Sequence, residues 1–178
     1  MELTQSRNTN PDHAMRTEPW KRLHRGLRRL AKLPADSGGP DFKVPAHWSE
    51  KTPGAMVQRA FDVTGDGGQA EITVSRFPGA TGGMLPNVNR WRGQLQLPPI
   101  KADELDKVTK KVQAGDTTAI LTDFTNAAGD QRMLGAIVPD EKGKQTWFFK
   151  VTGPAKAVGG QTEKFQKFVE SVKLEAGK

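Results

Sequence analysis

The segments "MVQRAFDV" (56–63) and "AEITVSRF" (70–77), the second alternating apolar and polar from Ala70 to Ser75, both read as strands. The "TGDGGQ" between them is rich in turn formers and suits a hairpin. Three further strands are predicted at 117–125, 132–138 and 146–153, joined by the short polar loops "NAAGDQ" and "PDEKGKQ". Consecutive strands with such short loops predict an antiparallel sheet rather than parallel crossovers.

Helical spacing occupies three other segments. Val88, Trp91 and Leu95 share one face of a helix over 87–95, which Pro98 and Pro99 stop. Leu105, Val108 and Val112 predict a second helix over 102–114, with Asp103 and Glu104 in its first turn. The third begins at Thr162 as N-cap, carries Phe165, Phe168, Val169 and Val172 on one face, and stops at Gly177. That face needs a sheet to lie on. The expectation is therefore an α+β domain over 41–178, an antiparallel sheet with packed helices. In "QTWFFKVTGP" the alternation sends Phe148 under one helix and Trp147 with Phe149 to another core or a partly covered surface.

The first 40 residues follow a different pattern. Residues 1–15 are polar and aperiodic. Over 19–33, Trp20, Leu23, Leu27 and Leu30 form one stripe of a short amphipathic helix, surrounded by Lys21, Arg22, Arg25, Arg28, Arg29 and Lys32. "PADSGGP" then reads as a linker. Residues 1–40 hold eight Lys/Arg against four Asp/Glu, or +4 of the formal +7. The expected extension is thus flexible and basic, with a helix suited to an anionic membrane, to nucleic acid, or to an acidic partner. It reads equally as an ordinary extension upstream of Met15. Nucleic acid is the less favoured partner, because the domain lacks the basic-aromatic consensus of RNA-binding sheets.

Candidate chemistry concentrates in "LPNVNRWRGQL", residues 85–95. On a helix, Asn87, Arg90 and Gln94 oppose the Val88–Trp91–Leu95 face, while Arg92 falls on the apolar side. An arginine there must snorkel out, stack on an aromatic ring or pair with a carboxylate. The motif reads first as a fastening of loop and helix to the sheet, with Trp91 buried and Arg92 paired. Its second reading is a polar binding site formed by Asn87, Asn89, Arg90, Arg92 and Gln94. The preceding "FPGATGGML" lacks the Walker lysine and the dinucleotide-fold glycine spacing. His13, His24 and His47 show no metal-ligand spacing, and Asp62, Asp66, Glu71 and Asp123 are the carboxylates available for acid–base work. The expectation is a domain without catalysis, cofactor or metal. Without cysteine, this polypeptide has no disulfide or thiolate site.

"RAFDV", "AEITVSRFPGATGGMLPNVNRWRGQLQLPP", "TWFFKVTGP" and "FQKFVESV" together resemble a family of bacterial envelope proteins frequent in planctomycete-type genomes. The resemblance spans about 42–174, and NVNRWRGQL is its most specific part. The layout is also similar to the PsbP-like α/β/α sandwich. The first resemblance implies exported or lipid-anchored relatives and assigns no activity. Unlike those relatives, the first 40 residues here carry neither a signal segment nor a lipobox cysteine. The functional expectation is a non-enzymatic binding or accessory module of the cell envelope, meeting an envelope protein or an anionic membrane surface. The alternative is an intracellular module whose basic N-terminal helix binds anionic membrane or nucleic acid.

Overall fold

A computed structural model describes residues 39–142 and 144–174. The expected basic helix at 19–33, its six cations and the stop at Gly177 lie outside these residues.

Seven strands form one sheet: β1 Ser49–Lys51, β2 Val57–Gly65, β3 Gly68–Pro78, β4 Thr109–Ala114, β5 Thr117–Thr125, β6 Gln131–Asp140 and β7 Gln145–Pro154. Every neighbouring pair is antiparallel, in the spatial order β1-β2-β3-β7-β6-β5-β4. The last strand in sequence is therefore central, with β3 on one side and β6 on the other. The helices are α1 Met84–Gln94, α2 Leu105–Val108, α3 Ala155–Gly159 and α4 Thr162–Glu170, and a 3-10 turn at Ala102–Glu104 precedes α2. Among the described residues, no helix is long and apolar enough to cross a membrane.

Period-two alternation splits the strand residues between two cores. On the first face, Phe61, Ile72, Val74, Leu134, Val138, Trp147, Phe149 and Val151 pack with Phe165, Phe168 and Val169 of α4, and with Phe42 and Trp48 of the entry segment. On the second, Val88, Trp91 and Leu95 of α1 pack on Phe124, Met133, Ile137 and Phe148. The aromatic run of β7 divides as the alternation requires: Phe148 meets Trp91 edge-on at 6.1 Å, while Phe149 meets Phe168 at 5.6 Å. Helices on both faces of an antiparallel sheet make an α/β/α sandwich.

Four local expectations need correction. Residues 109–114, expected to continue a helix, form strand β4. Val112 and Ala114 turn inward while Lys111 and Gln113 turn out, and pairing with β5 outweighs the weak helical spacing. Helix α1 begins at Met84 rather than 87. Gln161, not Thr162, occupies the α4 N-cap; the Thr162 hydroxyl instead donates to Gly159 O at 3.0 Å. Helix α4 ends at Glu170, so Val172 is buried from the segment beyond it, next to the Asp41–Lys173 bridge. β1 and α3 are additional elements, each five residues or fewer.

Candidate functional site

The five polar residues of the α1 motif separate into anchors and exposed groups. Asn87 is 2% exposed, and its Nδ2 donates to Thr81 O and Gly83 O, both at 2.7 Å. It thereby ties down the loop that enters the helix, where Thr81, Gly82 and Gly83 all have positive φ. Helical geometry alone set Asn87 on the polar face; the loop folds over that face and buries it. Asn89 works at the other end. Its Nδ2 donates to Ile100 O at 3.0 Å, and Ile100 N–H donates back to its Oδ1 at 2.8 Å. Arg92 donates from Nε to Pro98 O at 2.9 Å and lays its guanidinium over Phe124, 5.3 Å from the ring centroid. The stack is one of the arrangements that an arginine on an apolar side requires, while its hydrogen bond goes to a carbonyl rather than to a carboxylate partner.

Arg90 and Gln94 are exposed. They stand one turn apart on α1 beside Lys150 of β7, whose Nζ donates to Gln94 Oε1 across a long 3.4 Å. Lys150 is partly buried. Burial lowers its pKa below the usual lysine range, the Arg90 charge lowers it further, and Glu71 opposes both.

From Lys150 a polar strip continues across β3, β2 and β1. Thr73 faces Lys150 across the β3–β7 ladder, and Asp62 faces Glu71 across the β2–β3 ladder. Lys51 bridges the two carboxylates, 2.8 Å from Asp62 Oδ1 and 2.6 Å from Glu71 Oε1. Its pKa is raised, chiefly by the hydrogen bond to Asp62 and then by that to Glu71. The carboxylates named as acid–base candidates thus include one cross-strand pair bridged by a lysine. Asp123 lies on the other face, held by Arg132 through Nε at 2.7 Å and Nη2 at 2.5 Å.

Neither Lys51 nor Lys150 stood out in the sequence. Alternation places Lys150 on the Phe148 face, but its neighbours depend on a register between distant strands that one sequence does not carry. Among the described residues no group of three or more His, Asp or Glu side chains is set to hold a metal ion. The tail cations Lys21, Arg22, Arg25, Arg28, Arg29 and Lys32 lie outside the described residues.

The solved structure of cyanobacterial PsbP (CyanoP) from Synechocystis sp. PCC 6803 matches with a TM-score of 0.51 at 11% identity, over 77% of this chain and 87% of that one. The fold is PsbP-like. LpqN, described as involved in cell envelope biogenesis of Mycobacterium tuberculosis, matches the PsbP-like domain with a TM-score of 0.49 at 13% identity, over 79% of this chain and 86% of that one. No protein-family model and no curated protein matches the chain.

Proposed function

We propose that this PsbP-like domain is a non-enzymatic binding or accessory module of the cell envelope, and that it meets its partner at the Arg90–Gln94–Lys150 corner. The observation that carries the reading is Lys150, a partly buried ammonium whose hydrogen bond among the described residues is a long one to a neutral amide. With Arg90 and the Gln94 amide beside it, the corner offers an anionic group two cations and a further donor. Of the five residues in the motif, Arg90 and Gln94 make contact, while Asn87, Asn89 and Arg92 hold in place the helix that presents them. The envelope assignment, and kinship with the planctomycete-type family, rest on the resemblance of 42–174 to exported proteins.

Titration of the 15N-labelled full chain with inorganic phosphate, at constant ionic strength, tests the corner. Saturable shifts at Gln94 and along β7 around Lys150, abolished by Lys150→Ala, are expected. Shifts spread evenly over all basic residues would overturn it. The envelope assignment is tested separately by fractionating cells that express the chain: recovery with the envelope supports it, and recovery in the cytosol overturns it.

A second reading is favoured by one observation, the concentration of +4 of the +7 charge in residues 1–40. Here the basic segment engages an anionic membrane, with nucleic acid the other polyanion. Co-sedimentation with phosphatidylglycerol-containing vesicles should then capture the full chain at low salt, release it at high salt, and spare residues 41–178. Equal behaviour of the two forms would end this reading.

A further inference from the structure

The other end of the sheet carries a second surface that does not depend on the Lys150 corner. β4 is the outermost strand there. Asn126 N–H donates to Gln131 O at 2.9 Å, which makes that facing pair a hydrogen-bonded one. Backbone groups along an antiparallel strand point alternately to its two sides. In β5, even-numbered residues therefore bond β6 and odd-numbered residues turn toward β4. Leu121 faces Lys110 and Ala119 faces Val112, so the N–H and C=O groups of Thr109, Lys111 and Gln113 point away from the sheet. Thr125 lies beyond Thr122, the last β5 residue with a β4 partner, and its N–H and C=O also point to the open edge.

At this edge, where β4 begins, lies a groove of about 640 Å³. Leu97, Val108, Leu121, Phe124, Leu134 and Phe165 supply its apolar lining, and Arg92, Lys107 and Lys110 its cations. None of these cations has a carboxylate partner among the described residues. Lys110 donates to the neutral Gln166 amide at 3.0 Å, and Arg92 to a carbonyl. The nearby Asp123 carboxylate is already taken by Arg132.

We propose that this edge accepts a partner polypeptide as an added strand, and that the partner segment carries both acidic and apolar residues. The outward backbone groups call for a polypeptide, the lining calls for apolar side chains, and the three cations call for carboxylates. Lysines on an edge strand ordinarily repel a neighbouring strand. An acidic segment turns the same charges into attraction. A second copy of this edge would set Lys110 and Lys111 against like charges, and residues 1–38, with eight Lys/Arg against four Asp/Glu, have the wrong sign.

The test is fluorescence anisotropy of the full chain with a labelled ten-residue peptide of alternating Asp and Leu. Saturable binding is expected. It should weaken at least tenfold when alternate peptide amides are N-methylated, and at least tenfold in the Lys107→Glu, Lys110→Glu double variant. Lys111→Pro, which deletes an outward N–H and leaves the Lys110 and Val112 pairings intact, should do the same, with folding checked by near-ultraviolet circular dichroism. If that variant fails to fold, the N-methylated peptide reports the same contact from the partner's side. Undiminished binding of the N-methylated peptide would overturn the proposal in favour of an apolar anion, and laurate competition would identify that case. Equal binding of an alternating Lys and Leu peptide, or no saturable binding, would also overturn it.

Discussion

Trp91 occupies the space where Gly135 has no side chain. A Cβ at 135 would lie 2.6 Å from Trp91 Cε3 and 2.7 Å from Thr122 Oγ1, closer than real atoms approach. The α1 helix can settle on β6 only because that strand has a gap in its second face. Gly135→Ala should therefore displace the indole and destabilise the domain by about 1–3 kcal/mol, the usual range for an overpacked core. Urea unfolding followed by tryptophan fluorescence would measure it. A stability unchanged within a few tenths of a kcal/mol, with an unaltered emission maximum, would show that α1 does not rest on this contact.

Asn87 and Asn89 should cost stability for the same reason at opposite ends of α1. Each Ala substitution strands backbone groups that the amide now satisfies, for about 1–3 kcal/mol if the freed groups stay dry. Asn87→Asp is expected to be worse than Asn87→Ala, because a carboxylate has no N–H to give the Thr81 and Gly83 carbonyls it would face. Hydrogen exchange across 79–100 would locate the loss in the two flanking loops rather than in the sheet.

The helix that was expected over 102–114 shows how local spacing can mislead. Leu105, Val108 and Val112 fit a helical stripe, yet Val112 and Ala114 fit an alternating strand equally well. The decisive residue is Gly115, which turns the chain with φ 55 directly against the C-terminal segment: a Cβ there would sit 2.9 Å from Val172 O. Gly115→Val should therefore combine a disfavoured left-handed conformation with a backbone clash, costing about 2 kcal/mol or more. A thermal melt that stays in place would argue against this contact.

Much of the fold was legible in the sequence, because short apolar and β-branched runs between polar, glycine-bearing loops mark its strands and the last helix carries a compact apolar face. The pairing order was not legible. Nothing in "TWFFKVTG" announces that β7 lies between β3 and β6 rather than beside β6 alone. The motif around Trp91 was legible as a fastening. The anchoring of Asn89 to Ile100, eleven residues on, depends on how the Pro98–Pro99 segment folds back, and helical spacing does not specify that.

Lys150 gives a pH signature. Its pKa is lowered on folding from the ordinary 10.5, so the native state holds this proton less tightly than the unfolded chain does. Below both values the charged lysine is a burden. As pH rises from the lowered value toward 10.5, stability relative to a Lys150→Met variant should rise until the difference levels off. Paired urea titrations between neutral and alkaline pH would read this directly. A gap between the two proteins that does not change with pH would show that the ammonium is not strained.

Because β7 is the last strand of this sheet to be made and also its centre, synthesis and folding are out of step. A nascent chain that ends at Asp140 has made β1–β3 and β4–β6 but not the strand between them, so both β3 and β6 present bare edges. The domain cannot close until about residue 154 has cleared the ribosome, and its longest-range pairings form last. A stall or truncation before that point leaves two half-sheets, each able to capture the missing strand from another chain.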